Sequence, residues 1–398
     1  MKRFTSLFII SLTIISSCSK EASIDPSPIT PDHSWAPLNR TISSIYLAEE
    51  DSLIIDTNSL KLDFYRNTAY SCGISGNYTF LVVEPMNNPG AEAPLWVYLH
   101  GGGAGYYDEN QQYVIGVSHV TGLPHANNHN TEKTIENLKN GQLIYNTTTN
   151  SGEIESSTLT RRIMEGYRIL IVSMSDHDLH SGMGTPYPNN PNGGEVNGLQ
   201  ANMAAIDYTV ANYSTTHVFA HGTSAGSIGA FTLAYAYNLE GVKLNGIIMD
   251  SHLASYRTET LVGSLAGESG FVFPADFDII EAGKKVGWIA DRDRFPGIEY
   301  VIDNGYDIPS LDIYGNLDPG CGGGLARIDE AHSVGLDNCD WVHDGFRQAV
   351  AAQPNSIHKV RVTTGFGHVP TNYASPANDF VDEFINEILA TNPPFPFN

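Results

Sequence analysis

Thr216-His217-Val218-Phe219-Ala220-His221-Gly222-Thr223-Ser224-Ala225-Gly226 is the stretch that decides the fold. An extended apolar run, 216–220, enters a Gly-x-Ser-x-Gly turn and leaves into the apolar-periodic stretch 227–239, which predicts a strand, a sharp turn and a helix. Glycine flanks such a turn because side chains there would collide with the neighbouring strand and helix. Ser224 is left at the apex with its hydroxyl held out of the fold, placed to attack a carbonyl.

Three further segments carry matching chemistry. His100-Gly101-Gly102-Gly103-Ala104 follows the apolar run 94–99, and consecutive glycines at a strand end can turn backbone amides towards an oxyanion. Gly102, Gly103 and the amide of Ala225 are the expected donors. Neither a P-loop lysine nor a Gly-x-Gly-x-x-Gly spacing accompanies the run, so a phosphate cradle is disfavoured. Asp318 ends the strand and loop 310–318, and His368 ends 360–368. Serine, acid and histidine thus occur in the chain order of the α/β-hydrolase triad, each at a strand's C-terminal end, where ligands bind in open α/β sheets. Neutral His368 would take the Ser224 proton and Asp318 would orient the imidazole. Asp250, at the end of strand 244–249, is the rival acid; Asp312, inside its strand, reads as structural.

The fold class expected is therefore α/β: an α/β-hydrolase with a mostly parallel central sheet flanked by helices and a cap insertion. Strands are expected at 60–65, 78–83, 95–99 and 168–174, and helices at 131–138, 196–213 and 376–389. The segment 104–159 is long and irregular, rich in Tyr, Asn, His and Thr, and reads as one wall of the substrate site, with Tyr106, Tyr107 and Tyr113 as candidate contacts. Residues 258–305 read as the cap.

The chain has 398 residues, 44 acidic and 21 basic, for a net charge of −23. That balance disfavours nucleic acid, whose binding needs concentrated Lys and Arg, and favours neutral or acyl-masked substrates. Lys2-Arg3 before the short apolar run 4–15, ending in Ile15-Ser16-Ser17-Cys18, has the layout of a lipoprotein signal peptide, residues 1–17, with Cys18 as the lipidated residue. Residues 18–40, rich in Ser, Pro and Asp, read as a flexible tether, and 41–398 as the catalytic domain. The expectation is an exported protein of the bacterial cell envelope, touching membrane only through its lipid. In that compartment Cys321 and Cys339 are candidates for a disulfide clipping the loop after Asp318, with other pairings open and Cys72 left over.

Asp176, His177, Asp178 and His180 are metal-ligand types packed into five positions. Ligands one or two positions apart on an extended loop rarely all point inward. The loop reads instead as a structural or substrate-positioning element, and no metal or cofactor is expected.

Taken together, Gly101-Gly102-Gly103, Asp178-Leu179-His180-Ser181-Gly182, Gly222-Thr223-Ser224-Ala225-Gly226 and Asp250-Ser251 resemble the pectin acetylesterase and Notum family of serine carboxylesterases. Asp318 and His368 occupy the places of that family's acid and base. The resemblance implies removal of an acetyl or other acyl group from a carbohydrate oxygen, and makes Asp178, His180 and Asp250 candidate substrate contacts. The chain departs from the family at Ala104-Gly105-Tyr106-Tyr107, where members usually carry Trp and Cys, and it lacks most of the family's cysteines. Alternatives from the same residues are a lipase or polyester hydrolase, and a non-catalytic glycan-binding lipoprotein on a hydrolase scaffold.

Overall fold

A computed structural model describes residues 37–55, 58–72, 76–85, 88–101, 105–107, 110, 113–115, 158–174, 178–186, 195–251, 308–318, 339, 343–352, 357–392 and 394–395. All belong to the unit Ser34–Asn398. The expected signal peptide, Cys18, Gly102, Gly103, the helix expected at 131–138, Asp176, His177, the cap expected at 258–305 and Cys321 lie outside the described residues.

The described residues open with three antiparallel strands, β1 (Ile45–Ile55), β2 (Asn58–Cys72) and β3 (Gly76–Val83), followed by β4 (Ala93–Leu99). A small ladder, β5 (Gly105–Tyr107) with β6 (Tyr113–Ile115), pairs the backbones of Tyr107 and Tyr113. Helix α1 (Thr158–Met164) leads to β7 (Arg168–Val172). A two-residue ladder, β8 (Thr185–Pro186) with β9 (Glu195–Val196), precedes α2 (Gly198–Asn212). Then come β10 (Thr215–Thr223), α3 (Ala225–Leu239), β11 (Gly246–Asp250), β12 (Ser310–Gly315), α4 (Asp344–Ala352), β13 (His358–Thr363) and α5 (Ser375–Thr391).

Nine strands form one sheet in the order β1-β2-β3-β7-β4-β10-β11-β12-β13. From β7 to β13 every neighbouring pair is parallel. The chain steps from β4 to β7 on one side, then crosses to β10 on the other, so the order reverses around β4. This is the α/β-hydrolase strand order, with β1 as an added antiparallel edge. A reversal of this kind opens a crevice beyond the C-terminal ends of the two strands that flank it, here β4 and β10.

Both faces of the sheet are covered, and the sequence shows why. Along β4, Leu95, Val97 and Leu99 enter one core with α2 and α3, while Trp96 and Tyr98 enter the other with α1 and α5. That two-residue alternation recurs in β10 and β11: Val218 and Ala220 against Phe219, and Ile247 and Met249 against Ile248. Strands apolar on both faces need helices on both sides. Helix α3 buries nearly its whole circumference, which matches its lack of a polar stripe.

The expected tether is folded at its end. The Leu38 amide donates to Glu240 Oε1 at 3.2 Å, and Arg40 pairs with Glu240 and with Asp207 (3.2 Å) while lying over the Tyr237 ring. Thr41 N donates to Tyr70 Oη (2.9 Å), which donates in turn to Asn39 O (3.2 Å). Residues 38–40 therefore belong to the domain. No helix among the described residues is long and apolar enough to cross a membrane.

Candidate active site

Strand registers bring the expected residues to one edge. Gly222 lies opposite Leu99, Thr223 opposite Asp250, Asp250 opposite Ile313, and Gly315 opposite Thr363, so β4, β10, β11, β12 and β13 end nearly level. The segments carrying Ser224, Asp318 and His368 start within a few residues of that line.

Ser224 has φ 53° and ψ −119°, a conformation that costs a non-glycine residue roughly 1–3 kcal/mol and persists only where its surroundings enforce it. The enforcement is visible. Ser224 N donates to Asp250 O (2.8 Å), and Ser224 O accepts Ser227 N (2.9 Å) and the Ser227 hydroxyl. The turn is also too tight for side chains: a Cβ on Gly226 would lie 2.0 Å from Leu99 O, and one on Gly222 1.9 Å from Gly226 O. Gly101 passes beside this turn, its Cβ position 3.0 Å from Ser224 Cβ. Ala225 opens α3, so its N–H is among the first-turn amides that lack an intrahelical acceptor.

His368 Nδ1 donates to both Asp318 oxygens, at 2.8 and 3.0 Å; the Asp318 side chain is fully buried and that of His368 is 26% exposed. Burial alone pushes the imidazole pKa down, but the Asp318 carboxylate, aided by Asp250, outweighs it and the net shift is upward. The loops that carry Asp318 and His368 are also stitched together. Leu317 N donates to Phe366 O (2.9 Å), and Gly365 N donates to Asn316 Oδ1 (2.7 Å).

The rival acids are engaged elsewhere. Asp250 is buried, and its carboxylate accepts Thr371 N (3.0 Å), the Thr371 hydroxyl and the Ser251 hydroxyl (3.3 Å). Burial raises its pKa to about 7. It is an internal anchor and not the substrate contact expected of it. Asp312 pairs with buried His343 at 2.6 Å beneath the Tyr314 ring, consistent with a structural role.

Asp178 and His180 are likewise inside the fold, which corrects their reading as substrate contacts. Asp178 has no exposed surface and accepts His180 N (2.9 Å), Gly182 N (3.1 Å) and Gly198 N (2.7 Å). It thereby ties its loop to the N-terminus of α2, where a carboxylate is favoured. His180 is buried too, and its pKa is driven down to about 3 by burial, so the ring is neutral. Its Nε2 donates to His100 O (3.0 Å) and its Nδ1 accepts Asn202 Nδ2 (3.2 Å), while Asn202 Oδ1 accepts Tyr78 Oη (2.5 Å). This buried chain holds the carbonyl that precedes the glycine run. Nothing in the sequence marks Tyr78 or Asn202, each of which reads as one residue of an ordinary strand or helix.

Tyr106 and Tyr107 are described only as backbone in β5. Cys339 is disulfide-bonded, to a partner outside the described side chains, and its Sγ lies 3.6 Å from Asp318 O. A disulfide sulfur carries no hydrogen, so this is packing against the backbone of Asp318. Among the described residues no group of three or more His, Cys, Asp or Glu could hold a metal.

No family model matches the chain, and no curated protein sequence matches it. Solved structures are similar over most of its length. An S-formylglutathione hydrolase from Agrobacterium tumefaciens is 12% identical, with 86% of this chain and 99% of that chain covered and a TM-score of 0.46. Est1E from Butyrivibrio proteoclasticus is 14% identical, with 86% and 100% covered and a TM-score of 0.40. The esterase Est22 is 12% identical, with 87% and 80% covered and a TM-score of 0.42. The α/β-hydrolase fold of this chain is given by its own strand order and by the Gly-x-Ser-x-Gly turn between β10 and α3.

Proposed function

We propose that this chain is a serine esterase that hydrolyses O-acyl esters, with O-acetyl groups on carbohydrate as the substrate class, through Ser224, His368 and Asp318. The observation that carries the reading is the buried Asp318 carboxylate bonded at 2.8 and 3.0 Å to His368, on the sheet edge where Ser224 is held in a strained turn. Neutral His368 takes the proton from the Ser224 hydroxyl as its oxygen attacks the ester carbonyl. The Asp318 carboxylate stabilises the imidazolium that forms. Amides of Ala225, Gly102 and Gly103 receive the developing oxyanion. His368 then returns the proton to the departing alcohol, leaving an acyl-Ser224 ester. Water, deprotonated by the same imidazole, releases the acid and regenerates the serine.

The acetyl-glycan assignment rests on the resemblance of the glycine run, the Asp178–Gly182 loop and the Ser224 turn to the pectin acetylesterase and Notum family. The acidic net charge agrees with a neutral, acyl-masked substrate. Residues 1–18 support export and lipid anchoring in the bacterial envelope. Ser224→Ala should lower turnover of p-nitrophenyl acetate by about 10⁴-fold or more. A variant as active as the parent ends the proposal. Acetate release across a panel of acetylated polysaccharides tests the substrate class, and preferential cleavage of long-chain acyl esters overturns it.

A further inference from the structure

The dipeptide Asp250-Ser251 touches the supports of all three residues assigned above. Its first backbone carbonyl accepts Ser224 N (2.8 Å), which fixes the nucleophile turn. Its second backbone amide donates to Ile313 O (2.8 Å), on the strand that leads to Asp318. Its two side chains reach the segment that follows His368. The Ser251 hydroxyl accepts Val369 N (2.8 Å), and the Asp250 carboxylate accepts the Thr371 amide (3.0 Å) and hydroxyl. Asp250, Ser251 and Thr371 have no exposed surface.

What these bonds restrain is a backbone that would not hold itself. Val369, immediately after His368, has φ 54° and ψ 60°, and Ser251 has φ 58°. A β-branched residue in the left-handed region is an outlier, costing of order 1–3 kcal/mol, and it persists only where its surroundings over-determine it. Upstream of His368 the loop is fixed differently. Gly367 N donates to Tyr373 Oη (3.0 Å), and Gly315 leaves room for the loop to cross the end of β12, since a Cβ there would lie 2.2 Å from Phe366 O. The imidazole is thus gripped by backbone packing before it and by buried hydroxyls and a carboxylate after it. A strained αL turn with three side-chain acceptors and donors assembled around it is more apparatus than a surface loop needs.

We infer that Asp250, Ser251 and Thr371 are positioning residues that form a clamp on the Val369 turn and thereby aim the His368 imidazole at Ser224. The inference rests on the catalytic reading of Ser224, Asp318 and His368. None of the three clamp residues touches substrate. Their loss should therefore lower kcat and leave KM unchanged, because a misaimed base impairs proton transfer and not ester binding.

Thr371→Val is the direct test, since it keeps the shape of the side chain and removes the hydroxyl; Thr371→Ser restores the hydroxyl without the methyl. A misplacement on the order of 1 Å costs a reaction about 100-fold, so Thr371→Val should lose roughly 10- to 100-fold in kcat with p-nitrophenyl acetate, at constant KM. Thr371→Ser should recover most of that loss. Ser251→Ala supplies an independent variant should Thr371→Val not fold, with a kcat loss of the same order. Thr371→Val or Ser251→Ala with the parent kcat overturns the clamp. So does a Thr371→Ser as impaired as Thr371→Val, which would assign the effect to packing and not to the hydrogen bond. Ser224→Ala, assayed alongside, separates this from the wider reading: an active Ser224→Ala sinks the catalytic assignment, whereas a silent Ser224→Ala with an unimpaired Thr371→Val sinks the clamp alone.

Discussion

Replacing Asp318 by asparagine probes the assignment of acid and base most sharply. In the native protein His368 Nδ1 donates a hydrogen bond to the carboxylate at 2.8 and 3.0 Å, which fixes the tautomer whose Nε2 lone pair accepts the serine proton. An asparagine at this position can turn its amide N–H₂ towards Nδ1, which places the ring proton on Nε2 and abolishes the base. A wrong tautomer of this kind costs about 10⁴-fold in kcat, or about 5.5 kcal/mol of activation free energy. The pH dependence should move as well. Burial pushes the His368 pKa down, and Asp318, with a smaller contribution from Asp250, more than restores it, so the native acid limb should lie above the ordinary imidazole value near 6.5. Without the carboxylate, burial prevails and the residual limb shifts to lower pH. Asp250→Asn is the comparator, with a kcat loss of no more than about 100-fold. Stopped-flow or steady-state hydrolysis of p-nitrophenyl acetate over a wide pH range reads all three quantities. The reasoning fails if Asp318→Asn stays within about tenfold of the parent, if its acid limb moves upward, or if Asp250→Asn is the more damaging change.

Because the folded pKa of His368 is raised, its stabilisation is full below the unfolded imidazole pKa and fades as pH rises through the folded value. Asp318→Asn should accordingly lower the Tm more at about pH 5.5 than at about pH 9. Asp250 has its folded pKa raised to about 7 by burial, so the native state binds the extra proton and stability falls as pH climbs from about 4 to 7. That slope should flatten in Asp250→Asn, as followed by urea unfolding. Glu84→Ala should destabilise by about 3–5 kcal/mol, since it strands the fully buried Arg168 guanidinium that Glu84 meets at 3.0 and 3.1 Å; an unchanged urea midpoint would refute this. Gly226→Ala should abolish folding or activity, because the added Cβ would sit 2.0 Å from the Leu99 carbonyl oxygen and backbone cannot yield there. Wild-type ellipticity and turnover would contradict it.

Much of the parallel sheet is legible from apolar runs ending in glycine-punctuated loops, because each such strand is buried on both faces and its sequence says so. The edge strand β1 is not. Its sequence, Ile45-Tyr46-Leu47-Ala48-Glu49-Glu50-Asp51, lacks alternation because a register irregularity between Leu47 and Glu49 interrupts the pairing with β2. Helix α1 is hidden at the end of the segment 104–159, where Thr158, Leu159, Thr160, Arg162 and Ile163 are all buried and give no amphipathic stripe. The pairing of His368 with Asp318 follows from chain order and strand ends. The true work of Asp178, His180 and Asp250 does not, for a simple reason: their partners are mainly backbone amides, carbonyls and hydroxyls from distant segments. No spacing in the sequence announces a carboxylate that bonds to the start of a helix twenty positions away.

The latch of Leu38 and Arg40 onto Glu240 and Asp207 has a mechanical consequence. Helix α3 starts one residue past Ser224 and ends at Leu239, so Glu240 stands about 24 Å along the axis from Ser224. A force transmitted through residues upstream of 37 would be received by Glu240 at the far end of that rod and by Asp207 on α2, away from the Ser224 turn. Under the proposed amino-terminal anchor, load would enter the domain at these contacts and bypass the segments that carry Ser224, Asp318 and His368.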